Sequence, residues 1–222
     1  MNNFEEIKKA NPNLNIININ NEKFRDYGVV YDNYDLTEIN EYMDNVLIPE
    51  NSVYTPKNPD IEKMTIISQL SADVFGGMKL SAGECMGHCD AFSAIEFHQG
   101  SEVNITFTDL IMVLGKRRDL RNYEYNAEEN AEIFFIPKGT VFEMFSDTLH
   151  YSPIDVDSSG FKALVVVLNG TNEVLLSSVK SSNKMLVKQN KFQLAHQSRK
   201  DKVKAGVLPG VKGNLIQVKP MN

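Results

Sequence analysis

From about residue 64 onward, short apolar segments alternate with turn residues. The segments with the length and composition of β-strands are 65–70, 91–97, 102–108, 109–114, 131–136, 141–145, 149–155 and 161–168. Turns rich in glycine or proline separate many of them, as at 76–77, 137–139 and 158–160. Many closely spaced short strands are typical of a sandwich or a barrel. We therefore predict an all-β fold.

The length of the chain suits one large β domain with extensions, or two small domains. It has 222 residues, of which 42% are hydrophobic and 23% charged, as in ordinary soluble globular proteins. Apolar residues at helical spacing predict short helices at 4–10 and 36–47. We interpret residues 1–60 as a mixed helix and strand extension packed on the barrel, 61–180 as the barrel, and 181–222 as a C-terminal arm.

The charge of the chain argues against nucleic acid or an anionic membrane as a partner. The formal net charge is -6 at pH 7, and the isoelectric point is about 5.3. Positive charge gathers only late in the sequence, at Lys180, Lys184, Lys188, Lys191, Arg199, Lys200, Lys202 and Lys204. No aromatic residues alternate with these side chains as nucleic-acid stacking requires, so we interpret this region as a solvated segment.

The sequence indicates a cytoplasmic protein with free thiols. Its first ten residues are polar and charged, which does not fit a signal peptide, and no apolar stretch is long enough to span a bilayer. Cys85 and Cys89 fit a reducing compartment without a disulfide framework. Together with His88 they form a C-x-x-H-C cluster, but it lacks the second ligand pair of a structural zinc site.

The segment 94–104 contains the first group of residues suited to chemistry. Alternate residues of a strand face the same side, so Glu96 and His98 point together. A turn at 99–101 would let Glu102 point back to the same place. Imidazole nitrogen and carboxylate oxygen are ligands that zinc, manganese, iron and nickel accept. Because isolated charges are unfavourable in an apolar barrel, such a cluster must pair internally or hold a divalent cation.

A second group lies downstream, where Glu143 precedes His150 by seven residues. A hairpin of that length can bring both side chains to one face. We therefore predict His98, Glu102 and His150 as metal ligands, with Glu96 and Glu143 as catalytic candidates. The alternative is that each histidine is an ordinary hydrogen-bonded strand residue. The occurrence of three of the four histidines between residues 88 and 150 favours a site.

Further candidates for contact with a substrate lie on loops. His88 and Asp90 precede the Glu96 strand and are predicted to line the mouth of the barrel. Arg117, within a run of three basic residues, could bind a carboxylate or phosphate, although a solvated loop is the simpler interpretation. His196 is predicted to lie at the surface of the polar tail.

Two stretches, 109–115 and 131–141, resemble the cupin superfamily. In cupins a strand that ends in glycine is followed by an aliphatic strand and a Pro-x-Gly turn. The resemblance implies a metal held by a His-x-His motif, then by a glutamate, and by one more histidine after that turn. Here Glu96 replaces the first histidine, His98 and Glu102 match, and Phe142 occupies the last position. Glu143 or His150 must then supply the final ligand.

The sequence more specifically resembles a family of uncharacterised bacterial cupins, of the DUF4867 type. The segments that carry this resemblance are 87–89, 94–98, 101–104, 137–140 and 143–150, and the resemblance begins at about residue 60. It implies no activity. Resemblance to cupins in general implies a frequent occurrence of homodimers.

The carboxylate-rich cluster favours isomerisation or epimerisation of a small sugar, sugar acid or sugar phosphate. Such a reaction needs a cation that holds a carbonyl and its neighbouring hydroxyl, and a base that moves a proton between adjacent carbons. Glu143 or Glu96 could be that base. The alternatives are a cupin oxidoreductase or lyase, and a non-enzymatic cupin that binds a small ligand.

Overall fold

The computed structural model describes residues 3–221. Its strands are β1 Ile16–Asn18, β2 Gly28–Tyr31, β3 Val53–Tyr54, β4 Leu80–Gly87, β5 Ala91–Phe92, β6 Ala94–Phe97, β7 Glu102–Thr106, β8 Leu110–Lys116, β9 Tyr125–Asn126, β10 Glu132–Ile136, β11 Val141–Met144, β12 Thr148–Leu149, β13 Ile154–Asp155, β14 Phe161–Leu168, β15 Leu186–Lys188, β16 Lys191–His196, β17 Leu208–Lys212 and β18 Ile216–Gln217. The helices are α1 Asn3–Ala10, α2 Thr37–Asp44, α3 Thr65–Asp73, α4 Ala127–Asn130 and α5 Lys200–Lys204. Single 3-10 turns lie at Glu22–Asp26, Ile61–Lys63 and Arg117–Asp119.

One face of the barrel is a six-stranded antiparallel sheet, in the order β2-β11-β7-β14-β4-β3. Its longest pairing runs between β14 and β4, from the pair Phe161 and Gly87 to the pair Leu168 and Leu80. The opposite face is the sheet β1-β10-β8-β12, with β13 also paired to β8. The predicted all-β fold is therefore confirmed, as a barrel whose two main faces are these sheets.

The core of the barrel fills the space between these two sheets. It combines Met112 of β8, Phe134 of β10, Phe142 of β11 and Val165 of β14 in one cluster of buried side chains. A second cluster covers the outer face of the six-stranded sheet, where α2 and α3 pack. A third covers the outside of the opposite sheet with α1 and the C-terminal strands. Segments from both ends of the chain thus close the barrel's outer faces.

The segment 65–70 was predicted as a strand, and this is wrong. It forms α3, because Ile66, Ile67 and Leu70 lie on one helical face and are buried there. The helices predicted at 4–10 and 36–47 are confirmed as α1 and α2, although α2 ends at Asp44. The longest helix, α3, has 9 residues, and among residues 3–221 no helix has the length or apolar character that crossing a membrane requires.

Strand β4 was not predicted, since it contains two glycines and a glutamate. The structure explains Gly83: a Cβ atom there would lie 1.8 Å from the carbonyl oxygen of Thr55. The adjoining chain, just after β3, therefore approaches the backbone of β4 too closely for any side chain at this position. The strand ends at Gly87.

The C-terminal segment is part of the sheet structure. Strand β16 pairs antiparallel with β6 and places Gln193 opposite Glu96. The interpretation of the basic region as a solvated segment is therefore wrong for Lys191, whose side chain is only 13% exposed. The prediction that His196 lies at the surface is also wrong, because it is buried in β16 and contacts Ser198 through Nδ1.

Candidate metal centre and its cavity

Short strands and one tight turn bring four side chains to the interior of the barrel. Glu96 lies in β6 and His98 directly follows it, so both face opposite to Ile95 and Phe97, which pack in the outer core. The predicted turn at 99–101 is confirmed, and β7 begins at Glu102. Gly100 has a φ of 102°, a conformation that glycine adopts most readily.

Glu102 lies between the two histidines. Its Oε2 atom is 3.5 Å from Nδ1 of His98 and 3.4 Å from Nε2 of His150. On the other side of His98, the Nε2 atom is 4.0 Å from Oε1 of Glu96. The two imidazole rings have centroids 5.2 Å apart. All four side chains are buried.

The backbone fixes His150 against Glu96. The two residues exchange backbone hydrogen bonds, with the Glu96 amide donating at 2.7 Å and the His150 amide at 3.0 Å. Nδ1 of His150 lies 3.1 Å from the carbonyl oxygen of Thr148, which can only accept, so Nδ1 carries a hydrogen. Nε2 therefore faces the cluster, as in metal-binding histidines whose other nitrogen is held by a carbonyl.

The imidazole nitrogens that face the cluster lack hydrogen-bond partners. Among the described residues, both ring nitrogens of His98 and Nε2 of His150 are buried without one. Buried polar atoms are otherwise almost always satisfied. Glu96, His98 and His150 each offer one ligand atom, and these atoms lie within 4.8 Å of one another. Two imidazoles with carboxylates are a ligand set that fits a divalent cation.

The charges of the cluster depend on its own members. Burial raises the pKa of Glu96, but the Lys191 ammonium and the imidazoles of His98 and His150 outweigh it and lower the pKa to about 2. Burial also raises the pKa of Glu102, yet His150 and His98 bring it below its usual value. Both carboxylates are therefore ionised at neutral pH, which is the form that binds a cation.

The pKa values of His98 and His150 are shifted in opposite directions. Burial lowers the pKa of His98 to about 4, although Glu102 opposes this shift, so its ring is neutral at pH 7. Burial is the largest single effect on His150 and lowers its pKa, but Glu102, Glu96 and the Thr148 carbonyl together outweigh it, so the net shift is upward. A metal must therefore compete with a proton mainly at His150.

Comparisons with known proteins identify the family. Residues 16–216 match the family described as a domain of unknown function, DUF4867. The chain belongs to the DUF4867 family. No curated protein matches it.

Among solved structures, the DUF4867 chain is similar to oxalate decarboxylase from Bacillus subtilis. One structure of a mutant and one structure determined at pH 4.6 each share 12% sequence identity with this chain, with a TM-score of 0.28. The structure of another mutant shares 14% sequence identity, with a TM-score of 0.26. Each comparison covers 68% of this chain. The chain spans only 36–37% of the length of those proteins.

The structure does not bring Glu143 to the cluster. In the DUF4867 barrel Glu143 pairs with Val103, on the face of the six-stranded sheet that packs against α2 and α3. Its Oε2 atom instead accepts a hydrogen bond from the Tyr31 hydroxyl at 2.6 Å. The neighbouring residues Phe142 and Met144 pair with Asn104 and Glu102 and occupy the inner face. The expectation that Glu143 shares a face with His150 is corrected accordingly.

The predicted substrate-binding residues also lie elsewhere. Nδ1 of His88 is 3.3 Å from Oδ2 of Asp155, at the exposed loop that also contains Asp90. The Arg117 guanidinium lies 4.0 Å from the centre of the Phe97 ring, on the face of β6 opposite to Glu96. Within residues 3–221, the cavity beside the cluster is lined by none of His88, Asp90 and Arg117.

The cavity beside the cluster has a volume of about 460 Å³. Glu96, Glu102 and His150 form part of its wall. Residues that were not predicted to belong to a site complete it, notably Asn104, Lys191, Gln193 and Lys202. Asn104 donates a hydrogen bond of 2.9 Å to Oε1 of Glu102. Asn104 could have been predicted from the sequence, because it lies two residues after Glu102 in a strand and therefore faces the same side.

Proposed function

We propose that this DUF4867 protein is a metal-dependent cupin enzyme that isomerises or epimerises a small sugar, sugar acid or sugar phosphate. The observation that carries the proposal is the meeting of His98 and His150, through buried nitrogens without hydrogen-bond partners, with two ionised carboxylates at the wall of a cavity. The cavity volume of about 460 Å³ lies in the range of pockets for small molecules.

The residues that would hold the cation are His98, His150 and a carboxylate. That carboxylate is either Glu102, which contacts both rings, or Glu96, whose ligand atom lies within 4.8 Å of those of the two histidines. A bound divalent ion would supply Lewis acidity to a carbonyl and a neighbouring hydroxyl of the substrate. His150 is oriented for this role by its contact with the Thr148 carbonyl. Glu102 is oriented by the amide of Asn104, which leaves Oε2 directed at the histidines.

Glu96 is the carboxylate best placed to move a proton, now that Glu143 lies outside the barrel. Its Oε2 atom accepts hydrogen bonds from Lys191 and Gln193, each at 2.7 Å, so the side chain has a fixed orientation. It is ionised and can accept a proton, although its pKa of about 2 makes it a weak base. The same carboxylate is also within reach of the candidate metal ligands, so the test must separate the two roles.

Proton exchange at carbon tests the proposal. Protein loaded with manganese, zinc, iron or nickel would be incubated in heavy water with pentoses, hexoses, uronates and their phosphates. We expect deuterium to enter next to a carbonyl carbon of one substrate, as measured by NMR. Glu96→Gln should keep the metal and lose exchange, and loss of metal instead would make Glu96 a ligand.

His150→Ala should lose both metal and exchange, whereas Glu143→Gln should retain both. Absence of exchange with every substrate and every metal would contradict an isomerase or epimerase. Turnover that requires molecular oxygen, with iron as the active metal, would instead support an oxidoreductase.

A further inference from the structure

One wall of the cavity is basic, in a chain whose formal net charge is -6. Lys191 reaches the cavity from β16 and Lys202 from α5, and Lys188 lies at its rim. Lys191 and Lys202 are both partly buried. Lysine side chains are seldom withdrawn from water without a partner. Their placement beside the metal cluster therefore calls for an explanation.

These lysines belong to one hydrogen-bonded chain. Nζ of Lys191 lies 2.7 Å from Oε2 of Glu96, and the Gln193 amide donates to the same oxygen at 2.7 Å. Nζ of Lys202 donates to Oε1 of Gln193 at 3.2 Å and lies 5.3 Å from the centre of the Tyr151 ring. Lys202 thus has a neutral amide and a ring as its close partners, and no carboxylate is among the contacts described for its ammonium.

A cation at the cluster would change the charge balance of the cavity. In formal charge, the carboxylates of Glu96 and Glu102 offset the ammonium groups of Lys191 and Lys202, of which only Lys191 contacts a carboxylate directly. A divalent ion at the cluster would add two positive charges and leave the two lysines without that compensation. Uncompensated charge in a partly enclosed space is unfavourable. A ligand that carries a negative charge would restore the balance.

We propose that Lys191 and Lys202 form a subsite for a carboxylate or phosphate group, so that the substrate is an anionic sugar derivative and not a neutral sugar. This inference rests on the proposed function for the position of the reacting carbons at the metal. The oxyanion would accept hydrogen bonds from the two ammonium groups. Charge-assisted bonds of this kind are stronger than bonds between neutral groups.

Three small probes with a common carbon skeleton test the subsite: glycerol 3-phosphate, glycerate and glycerol. Their affinities would be measured by isothermal titration calorimetry, with metal-loaded and with metal-free protein. We expect at least one of the two anions to bind wild-type protein about tenfold or more tightly than glycerol. Comparison of the phosphate with the carboxylate then shows which oxyanion the subsite prefers.

Substitutions locate the binding to the lysines. Lys202→Met keeps the apolar stem over Tyr151 and should weaken anion binding by about tenfold while glycerol binding stays unchanged. Lys202→Arg should retain most of the affinity. The matched control is Lys204→Met, an exposed lysine of the same helix, which should bind as wild type does. In wild type, added salt should lower the affinity for the two anions and leave the affinity for glycerol unchanged.

The outcomes separate this inference from the proposed function. If metal binds but the anions bind no better than glycerol, or if Lys202→Met leaves their affinity unchanged, the subsite is contradicted and the metal centre stands. If no metal binds but the anion preference persists and depends on Lys202, the subsite stands and the proposed function fails.

Discussion

Oε2 of Glu102 lies 3.4 Å from Nε2 of His150, and this contact joins two segments that are 48 residues apart in sequence. The carboxylate is buried and ionised, and the imidazole nitrogen that faces it has no hydrogen-bond partner among the described residues. Because the same oxygen also lies 3.5 Å from His98, Glu102 is the common neighbour of both histidines.

The first prediction concerns Glu102→Gln. This change removes one negative charge from the cluster but keeps the size of the side chain. We expect the affinity for a divalent cation to fall by at least about tenfold, as measured by calorimetric titration with zinc or manganese. Asn104→Ala should lower this affinity less, because it removes only the hydrogen bond to Oε1 of Glu102. Wild-type affinity in Glu102→Gln would remove this carboxylate from the metal centre.

The second prediction concerns Glu143, which contacts Tyr31 on the outer face of the sheet. Tyr31→Phe should lower the free energy of unfolding by about 1 kcal/mol, because it removes a hydrogen bond to a partly exposed carboxylate. Urea denaturation would measure this loss. Metal affinity should remain at the wild-type value in Tyr31→Phe and in Glu143→Gln. A loss of metal in either variant would show that Glu143 acts at the cluster after all.

The third prediction concerns Phe142, which stands where the cupin motif has a histidine. Its ring is fully buried and packs edge-on against Phe24 at a centroid distance of 6.1 Å. We expect Phe142→Ala to lower the free energy of unfolding by about 3–5 kcal/mol. Phe142→Leu, the control, should cost less because it leaves a smaller cavity. Equal stability of Phe142→Ala and wild type would contradict a structural role.

The fourth prediction concerns pH. A metal binds only neutral imidazole, and the pKa of His150 is raised whereas that of His98 is lowered to about 4. Affinity for the cation should therefore fall as the pH decreases between about 8 and 5, with His150 as the main site of proton competition. Titrations in buffers of different ionisation enthalpy would count the protons released. An affinity that does not change over this range would contradict coordination by His150.

The local part of the site could be predicted from sequence. The alternation of Ile95, Glu96, Phe97 and His98 requires only that the segment be extended, and the turn at Gly100 returns Glu102 to the same place. The same reasoning failed for Glu143. The chain bends between β11 and β12, so strand parity could not be carried across the seven residues to His150. The large apolar neighbours Phe142 and Met144 were the better signal, since they occupy the inner face.

The basic wall of the cavity could not be predicted, because it depends on a pairing between distant segments. Gln193 contacts Glu96 across a separation of 97 residues. No local sequence pattern indicates that β16 pairs with β6. Without that pairing, a segment rich in lysine is expected to be solvated. The helix α3 was mistaken for a strand for another reason. Short apolar runs fit either structure, and only their packing decides.

The central claim is that His98 and His150 hold a divalent metal ion. Elemental analysis of wild type, His98→Ala and His150→Ala, after equal exposure to metal and removal of free ions, tests it most directly. We predict about one equivalent of metal per chain in wild type and far less in each variant, with all three retaining the same circular dichroism spectrum. Equal metal content in the three folded proteins would contradict the claim.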